Sequence, residues 1–293
     1  MRILITGSNG LLGQKIVAQL LKKGSTFLAT SLGENRNEEC PTENYLRMDI
    51  CNPEEITEVF QSFQPSHVIH TAALTNVDTC ELDPDACQKI NVDAVATLAN
   101  VCQLNGIHFQ LLSTDFVFDG AKGNYKEEDE PNPLSVYARS KVAAEQIVAK
   151  SPNLNASIVR TIIVYGTGQN LSRSNIVLWA KEALQKGQEI SIIDDQFRAP
   201  TWADDLAWAC IRICELNYTG IFHISGPETM SIYEIVARIA KHYHLSLDKV
   251  KRTSSANLNQ PAKRPPRTGF DLSKAQSKLN YIPKRLEETL DLI

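Results

Sequence analysis

Ile3-Leu4-Ile5-Thr6-Gly7-Ser8-Asn9-Gly10-Leu11-Leu12-Gly13 begins as a short apolar run that stops at glycine. Apolar residues then recur at 12, 16, 17, 20 and 21 until Gly24. The run reads as a strand buried on both faces, and the recurrence as a helix over 11–23. Gly7 permits a tight turn, Gly10 lets backbone approach a pyrophosphate closely, and Gly13 lets helix pack against strand. Such a loop turns free N–H groups and the positive end of a helix dipole toward a phosphate. A glycine pattern alone says little, but between this strand and this helix it points to a bound dinucleotide.

Working outward, the same alternation repeats. Strands are expected at 26–31 and 45–49, then a helix opened by Asn52-Pro53-Glu54-Glu55 and running to Phe63. A strand at 67–70 and a helix opened by Asp83-Pro84-Asp85 and running to Leu104 follow. Next come a strand at 107–112, a helix at 134–150 and a strand at 156–164. Regular alternation of this kind predicts an α/β fold: a doubly wound parallel sheet of Rossmann type, with ligand at the carboxyl ends of its strands. After Tyr165 the rhythm loosens into helix 174–186, strand 189–193, helix 203–216, strand 220–224 and helix 231–243. A Pro- and Arg-rich stretch from Pro261 to Arg267 and a short helix from Asp271 complete the chain. Residues 1–170 are therefore read as a dinucleotide-binding domain, with 203–218 packing back onto it. Residues 171–202 and 219–293 are read as a smaller C-terminal α/β substrate-binding domain.

The 293 residues are 43% hydrophobic and 22% charged, enough to bury a sizeable core, which excludes disorder and collagen-like repetition. Thirty Lys and Arg against 34 Asp and Glu leave a formal charge of -4 and no overall attraction for nucleic acid or an anionic membrane. Seven cysteines without a Cys-x-x-Cys pair read as scattered reduced thiols. No apolar run approaches the ~20 residues that span a bilayer, and the N-terminal run meets glycine too soon for a signal peptide. A cytoplasmic protein that binds neither nucleic acid nor membrane is expected.

The chemistry-bearing residues lie further on. In Tyr137-Ala138-Arg139-Ser140-Lys141, on a predicted helix, phenol and ammonium four residues apart share a face. A nearby cation favours phenolate and lowers a pKa ordinarily about 10, so Tyr137 is expected to exchange a proton near neutral pH. Ser113-Thr114-Asp115 ends the fifth strand and adds a hydroxyl on the same crevice.

These residues resemble the extended short-chain dehydrogenase/reductase family over nearly the whole chain. Several segments are similar to its dTDP-4-dehydrorhamnose reductase branch, which reduces a 4-keto sugar nucleotide. They are Ser113-Thr114-Asp115-Phe116-Val117-Phe118-Asp119-Gly120, Arg160-Thr161 with Val164-Tyr165-Gly166, Asp194-Asp195-Gln196-Phe197-Arg198-Ala199-Pro200-Thr201, Gly220-Ile221-Phe222-His223-Ile224-Ser225 and Pro261-Ala262-Lys263-Arg264-Pro265. The resemblance implies that Thr114 hydrogen-bonds the reacting carbonyl, Tyr137 protonates it, and Lys141 tunes Tyr137 and holds the nicotinamide ribose. Gly10, Leu11 and Leu12, with Gly7 and Gly13 shaping the turn, would line the pyrophosphate. Asp49 and Ile50 would lie on the adenine, and Ala73, Leu74 and Thr75 along the cofactor's middle. Asp115, Ile163 and Arg198 would meet the substrate. Ile163 stands where related reductases carry tryptophan. Gln14-Lys15 lacks the glutamate expected of metal-linked dimers, so no metal is expected, while a homodimer stays open.

Cofactor choice turns on the end of the second strand, Thr30-Ser31-Leu32-Gly33-Glu34-Asn35-Arg36. Ser31 replaces the acid that would grip the ribose of NAD, and Arg36 is within loop reach of a 2′-phosphate. NADPH is expected, with Glu34 keeping NADH as the alternative. A nucleotide sugar is the expected partner. Two other readings share these residues: an epimerase or dehydratase of nucleotide sugars, and a non-catalytic NADP-binding protein resembling the regulatory subunit of methionine adenosyltransferase.

Several other features take ordinary readings. Glu127-Glu128-Asp129-Glu130 reads as a solvated loop, and His67 and His70 as residues on opposite strand faces. His242 and His244 read as surface groups, and Trp179, Trp202 and Trp208 as packing residues. Lys263-Arg264 with Arg267 reads either as a contact to a substrate diphosphate or as a solvated basic loop.

Overall fold

The computed structural model describes residues 1–293. Its strands are β1 (Arg2–Thr6), β2 (Thr26–Ser31), β3 (Tyr45–Arg47), β4 (His67–His70), β5 (His108–Thr114), β6 (Ala156–Thr161), β7 (Val164–Tyr165), β8 (Ile190–Ile193), β9 (Phe197–Arg198), β10 (Thr201–Trp202), β11 (Gly220–Ile224), β12 (Met230–Ser231) and β13 (Val250–Thr253). Its helices are α1 (Leu11–Lys22), α2 (Pro53–Phe63), α3 (Val77–Leu82), α4 (Pro84–Gln88), α5 (Ala94–Leu104), α6 (Val136–Lys150), α7 (Ile176–Gln185), α8 (Ala203–Glu215), α9 (Ile232–His242), α10 (Ser273–Leu279) and α11 (Leu286–Leu290). Seven strands form one parallel sheet in the order β11-β6-β5-β4-β1-β2-β3.

In β1 the side-chain period of two sends Ile3 and Ile5 into one core and Leu4 into the other. α1 and α8 cover the first face, through Ile16, Val17, Leu20, Leu206 and Cys210. α2, α5 and α6 cover the second, through Ile56, Phe60, Val95, Leu98 and Val148. The switch in strand order falls between β1 and β4, so a crevice opens at their carboxyl ends. A third core, around Tyr165, Trp202, Ile235, Ile239 and Leu290, holds α7, α9 and α11 together as a smaller lobe.

Two assignments to that lobe need correction. The strand at 220–224 pairs with β6 and forms the sheet's seventh strand. The segment from Phe270 to Tyr281, which includes α10, packs into the first large core beside α8. The reason is shared: β6 would otherwise be an open, apolar edge, and β11 with its helix covers it.

The local punctuation acts as its chemistry requires. The Asn52 side chain caps α2 by accepting from the Glu54 and Glu55 N–H groups, and Asp83 caps α4 through the Ala86 N–H. The helix opened by Asp83 is not uniform, however, because residues Lys89–Asp93 form a π-helical turn between α4 and α5. α3, only six residues long, is too short for a periodicity to reveal it. The acidic loop has structural bonds: Glu127 accepts from the His223 N–H at 3.0 Å, and Lys122 donates to Asp129 at 2.6 Å. His67 and His70 do diverge, toward Asn217 and Thr6 respectively, and His242 pairs with the exposed carboxylate of Asp291. Trp202 is buried in the smaller lobe, Trp208 stacks near Tyr281, and Trp179 is 39% exposed. All seven cysteines are free thiols, and no helix is long and apolar enough to cross a membrane.

Three of the four buried histidines set an acid limit on the fold. Burial, reinforced by Lys141, brings His70 down to about 3; burial and His67 bring His108 to about 4; burial and Arg160 bring His223 to about 3. In the unfolded chain each protonates near an ordinary value of about 6.5. Their contribution to stability is therefore complete above that value and is lost as pH falls from it toward 4. The expected loss is up to ~1.4 kcal/mol per pH unit for each histidine. Urea midpoints measured between pH 7 and pH 4.5 should fall before most carboxylates titrate; a flat series over that range would contradict the argument.

Candidate active site

At the switch point lies a cleft of about 1190 Å³, above the ~300–1,000 Å³ of ordinary single-ligand pockets. Its floor is the glycine loop. Gly7 has φ +73°, and a Cβ there would stand 2.6 Å from the Ala72 nitrogen; one on Gly13 would stand 2.5 Å from the Gly7 carbonyl oxygen. Neither position admits a side chain without moving backbone. Gly10 has no side chain with which to cap α1, so the first N–H groups of the helix remain free at the cleft. Gly7, Gly10, Leu11, Leu12 and Gly13 all line it.

Asn9 organises the rim. Its backbone N–H donates to Ser31 Oγ at 3.2 Å, its amide donates to the Glu34 carbonyl at 2.8 Å, and its Oδ1 accepts from the Arg36 N–H at 2.9 Å. Ser31 consequently lines the cleft. Arg36 does not: its backbone is fastened to Asn9 and its side chain extends into solvent from the rim. Gln14, which replaces the glutamate discussed above, donates to the carbonyls of Asn9 and Gln169 and accepts from the Gln169 N–H. Gln169 Oε1 in turn accepts from the Glu38 N–H at 2.6 Å. The segment from Gly166 to Asn175 is thereby laid as a strap across the glycine loop.

Along the middle of the cleft, Asp49, Ile50, Ala73, Leu74 and Thr75 form the wall. Leu74 is held by a residue that sequence reading passed over. Asn91, in the π-helical turn, accepts from the Leu74 N–H at 2.8 Å and donates to its carbonyl at 3.0 Å. It also donates to Ser140 Oγ at 3.1 Å, tying this wall to the helix that bears Tyr137 and Lys141. Only a polar residue inside an otherwise apolar stripe hinted at it. Ser113 is a second such residue: it lines the cleft, is 5% exposed, and its hydroxyl has no partner in the protein. A buried orphan hydroxyl invites a ligand atom. With the glycine cradle and the free helix N–H groups, the site fits a dinucleotide.

At the far end the structure brings together Thr114, Tyr137 and Lys141. Thr114 closes β5, while α6 carries the other two, its start fixed by Ser135, which accepts from the Ala138 N–H, and by Glu81, which accepts from the Val136 N–H. Burial drives the Tyr137 phenol well above its ordinary range, although the hydrogen bond with Thr114 opposes the shift. The expectation of a phenol depressed by its lysine is thus corrected: desolvation of the buried ring dominates, and the opposing influences come from Thr114 and Arg173. Lys141 is brought down to about 8 by burial, against the pull of Glu145. Around Tyr137 lie Phe116, edge-on at 6.2 Å, and the thiols of Cys80 and Cys87.

Of the three residues expected to meet a substrate, Asp115 and Ile163 line the cleft. Arg198 does not and is 2% exposed. Its guanidinium donates to the carbonyls of Phe197 and Pro265 at 2.7 Å and lies 3.7 Å from Asp115. A fully buried guanidinium needs all of these partners, so its place is behind Asp115 rather than on a ligand. Asp115 also accepts from Thr268, and burial pushes its carboxyl up against the opposing pull of Arg198. Arg264 pairs with Asp78 at 2.6 Å and Arg267 lies over the Phe197 ring, so neither is among the residues lining the cleft. Ile163 has φ +27°, a backbone region that β-branched residues rarely adopt. Its carbonyl accepts from the Thr201 N–H at 3.1 Å.

Residues 1–293 match the family described as RmlD substrate binding domain. The chain is similar to the probable low-salt glycan biosynthesis reductase Agl14 of Haloferax volcanii, at 31% identity over 288 residues, covering 98% of this chain and 95% of the relative. It is also similar to methionine adenosyltransferase 2 subunit beta of Danio rerio, at 32% identity over 282 residues, covering 94% and 84%. Among solved structures, dTDP-4-dehydrorhamnose reductase of Bacillus anthracis in complex with NADP superimposes with a TM-score of 0.86 at 28% identity, covering 99% of this chain and 97% of that one.

Proposed function

The chain belongs to the RmlD substrate binding domain family of extended short-chain dehydrogenase/reductases, and from that premise we propose that it is an NADPH-dependent reductase of a nucleotide-linked 4-keto-6-deoxy sugar. The observation that carries the proposal is the meeting of Thr114, Tyr137 and Lys141 in one cleft with the glycine cradle. The reductase named for Bacillus anthracis, with NADP bound, supports both the substrate class and the cofactor.

When bound, the dinucleotide supplies the hydride. The free N–H groups of α1 would hold its pyrophosphate, and Ser31, in place of an acid, would not repel a phosphate on the adenosine ribose. Arg36, exposed at the rim, would supply the positive charge for a 2′-phosphate. Tyr137 keeps its proton throughout the neutral range and gives it to the carbonyl oxygen. Thr114 turns its hydroxyl from Asp115, to which it donates at 3.1 Å, toward the same oxygen. Lys141, one turn along α6 from Tyr137 and in the same cleft, would stabilise the phenolate left behind.

The test is consumption of NADPH, followed at the reduced-nicotinamide absorbance band, on adding a nucleotide-linked 4-keto sugar such as dTDP-4-keto-6-deoxyglucose. A panel of such sugars that leaves the band unchanged contradicts the proposal. The pH dependence is a further check. The active form carries protonated Lys141, whose proton leaves as pH rises through about 8. The value of kcat/KM for NADPH, which reports the free enzyme, should therefore fall about tenfold per pH unit above that point. A profile level to pH 10 would remove Lys141 from the role.

Likeness to the adenosyltransferase subunit favours a second reading, a cofactor-binding subunit of another enzyme.

A further inference from the structure

We infer that Arg173 binds an oxyanion carried by the second ligand of the cleft, the one that faces Tyr137 rather than the adenosine end. The inference depends on the reductase proposal only in calling that ligand the substrate. The strap that crosses the glycine loop is fastened in its first half, through Gln169 to Gln14 and Glu38. It then turns back, and Ser172, Arg173 and Ser174 line the cleft.

The charges on the cleft walls isolate Arg173. Five lining residues are ionisable as Lys, Arg, Asp or Glu: Asp49, Lys89, Asp115, Lys141 and Arg173. Asp115 is already paired with Arg198. Lys141 is buried against Glu145. Lys89 and Asp49 sit together at the other end, around Cys51. Arg173 makes no ion pair and no side-chain hydrogen bond, and its charge reaches the Tyr137 phenol, whose acidity it increases. A guanidinium fork left without a partner, between two serine hydroxyls, matches the paired oxygens of a phosphate or carboxylate.

The oxyanion has two sources in a nucleotide sugar: its diphosphate, or a carboxylate on the hexose. Calorimetric titrations of wild type, Arg173→Gln and Arg173→Lys, each saturated with NADP⁺, tell them apart. The probes are dTDP, UDP, thymidine, UDP-glucose and UDP-glucuronate. If the diphosphate is the source, Arg173→Gln weakens dTDP or UDP about ten- to a hundredfold, the range of lost charge-assisted hydrogen bonds. Thymidine is then unaffected, and Arg173→Lys recovers part of the loss. If the carboxylate is the source, the nucleoside diphosphates are unchanged and UDP-glucuronate alone falls to the affinity of UDP-glucose. Either result supports the inference, and neither requires turnover, so failure of the reductase proposal would be seen separately in the NADPH assay. The inference is overturned if Arg173→Gln changes neither, if its only effect is on NADP⁺ affinity, or if wild-type protein binds none of the charged probes.

Discussion

Replacing Tyr137 by phenylalanine should slow keto-sugar reduction by about 10²–10⁴-fold, the span that a positioned acid contributes. Affinity for NADPH should stay within a few-fold. The change deletes one oxygen from a buried ring that keeps its contacts with Phe116, Cys80 and Cys87. Packing is preserved, so lost activity cannot be blamed on an unfolded chain, and the unfolding midpoint of the variant supplies the control. Single-turnover rates within threefold of wild type would exclude Tyr137 as the proton donor. The same variant addresses the second reading. A subunit without chemistry of its own should show no NADPH consumption in the wild type and equal partner binding with tyrosine or phenylalanine.

Replacing Glu145 by leucine should cost ~3–5 kcal/mol of stability, the range for stranding one member of a buried ion pair. Arg160 donates to Glu145 through Nε at 3.0 Å and Nη2 at 2.7 Å, with side chains 2% and 6% exposed. It also lies over the Phe118 ring and beside His223, neither of which can neutralise it. Adding Arg160→Met should recover much of the loss, because both buried charges are then gone. A second readout follows from Lys141, whose proton Glu145 helps to hold. Without that carboxylate the alkaline limb of kcat/KM should move to lower pH, in the single and the double variant alike. Urea midpoints of the single variant equal to wild type would refute the stability argument; an unmoved limb would refute the electrostatic one.

The parts of the molecule legible in its sequence are those governed by local rules. Ile3 to Gly13 encodes strand, turn and helix within eleven consecutive positions, and the Tyr137–Lys141 spacing encodes a shared helix face. What stayed hidden depends on distant partners. That Gly220–Ile224 extends the large sheet is decided by β6, whose paired residues lie more than 60 positions earlier in the chain. Arg198 looks like a ligand contact until the carbonyls of Pro265 and Pro266 are seen to close over it. Sequence spacing placed a cation beside Tyr137 but carried no measure of burial, and burial governs the phenol. Arg173 sits among serines and asparagines just before the helix expected at 174–186; nothing short of the folded strap sets it at the cleft.

Ile163 stands on the cleft wall in a left-handed backbone turn that glycine or asparagine would occupy at ease. The fold around it must therefore act as a clamp, with the Thr201 bond as one jaw, and the isoleucine resembles a compressed spring on the cleft wall. Exchange for glycine would ease the compression yet let the wall wander. Robustness and precision therefore pull in opposite directions at this single position, and an engineer seeking a tougher protein would have to choose between them.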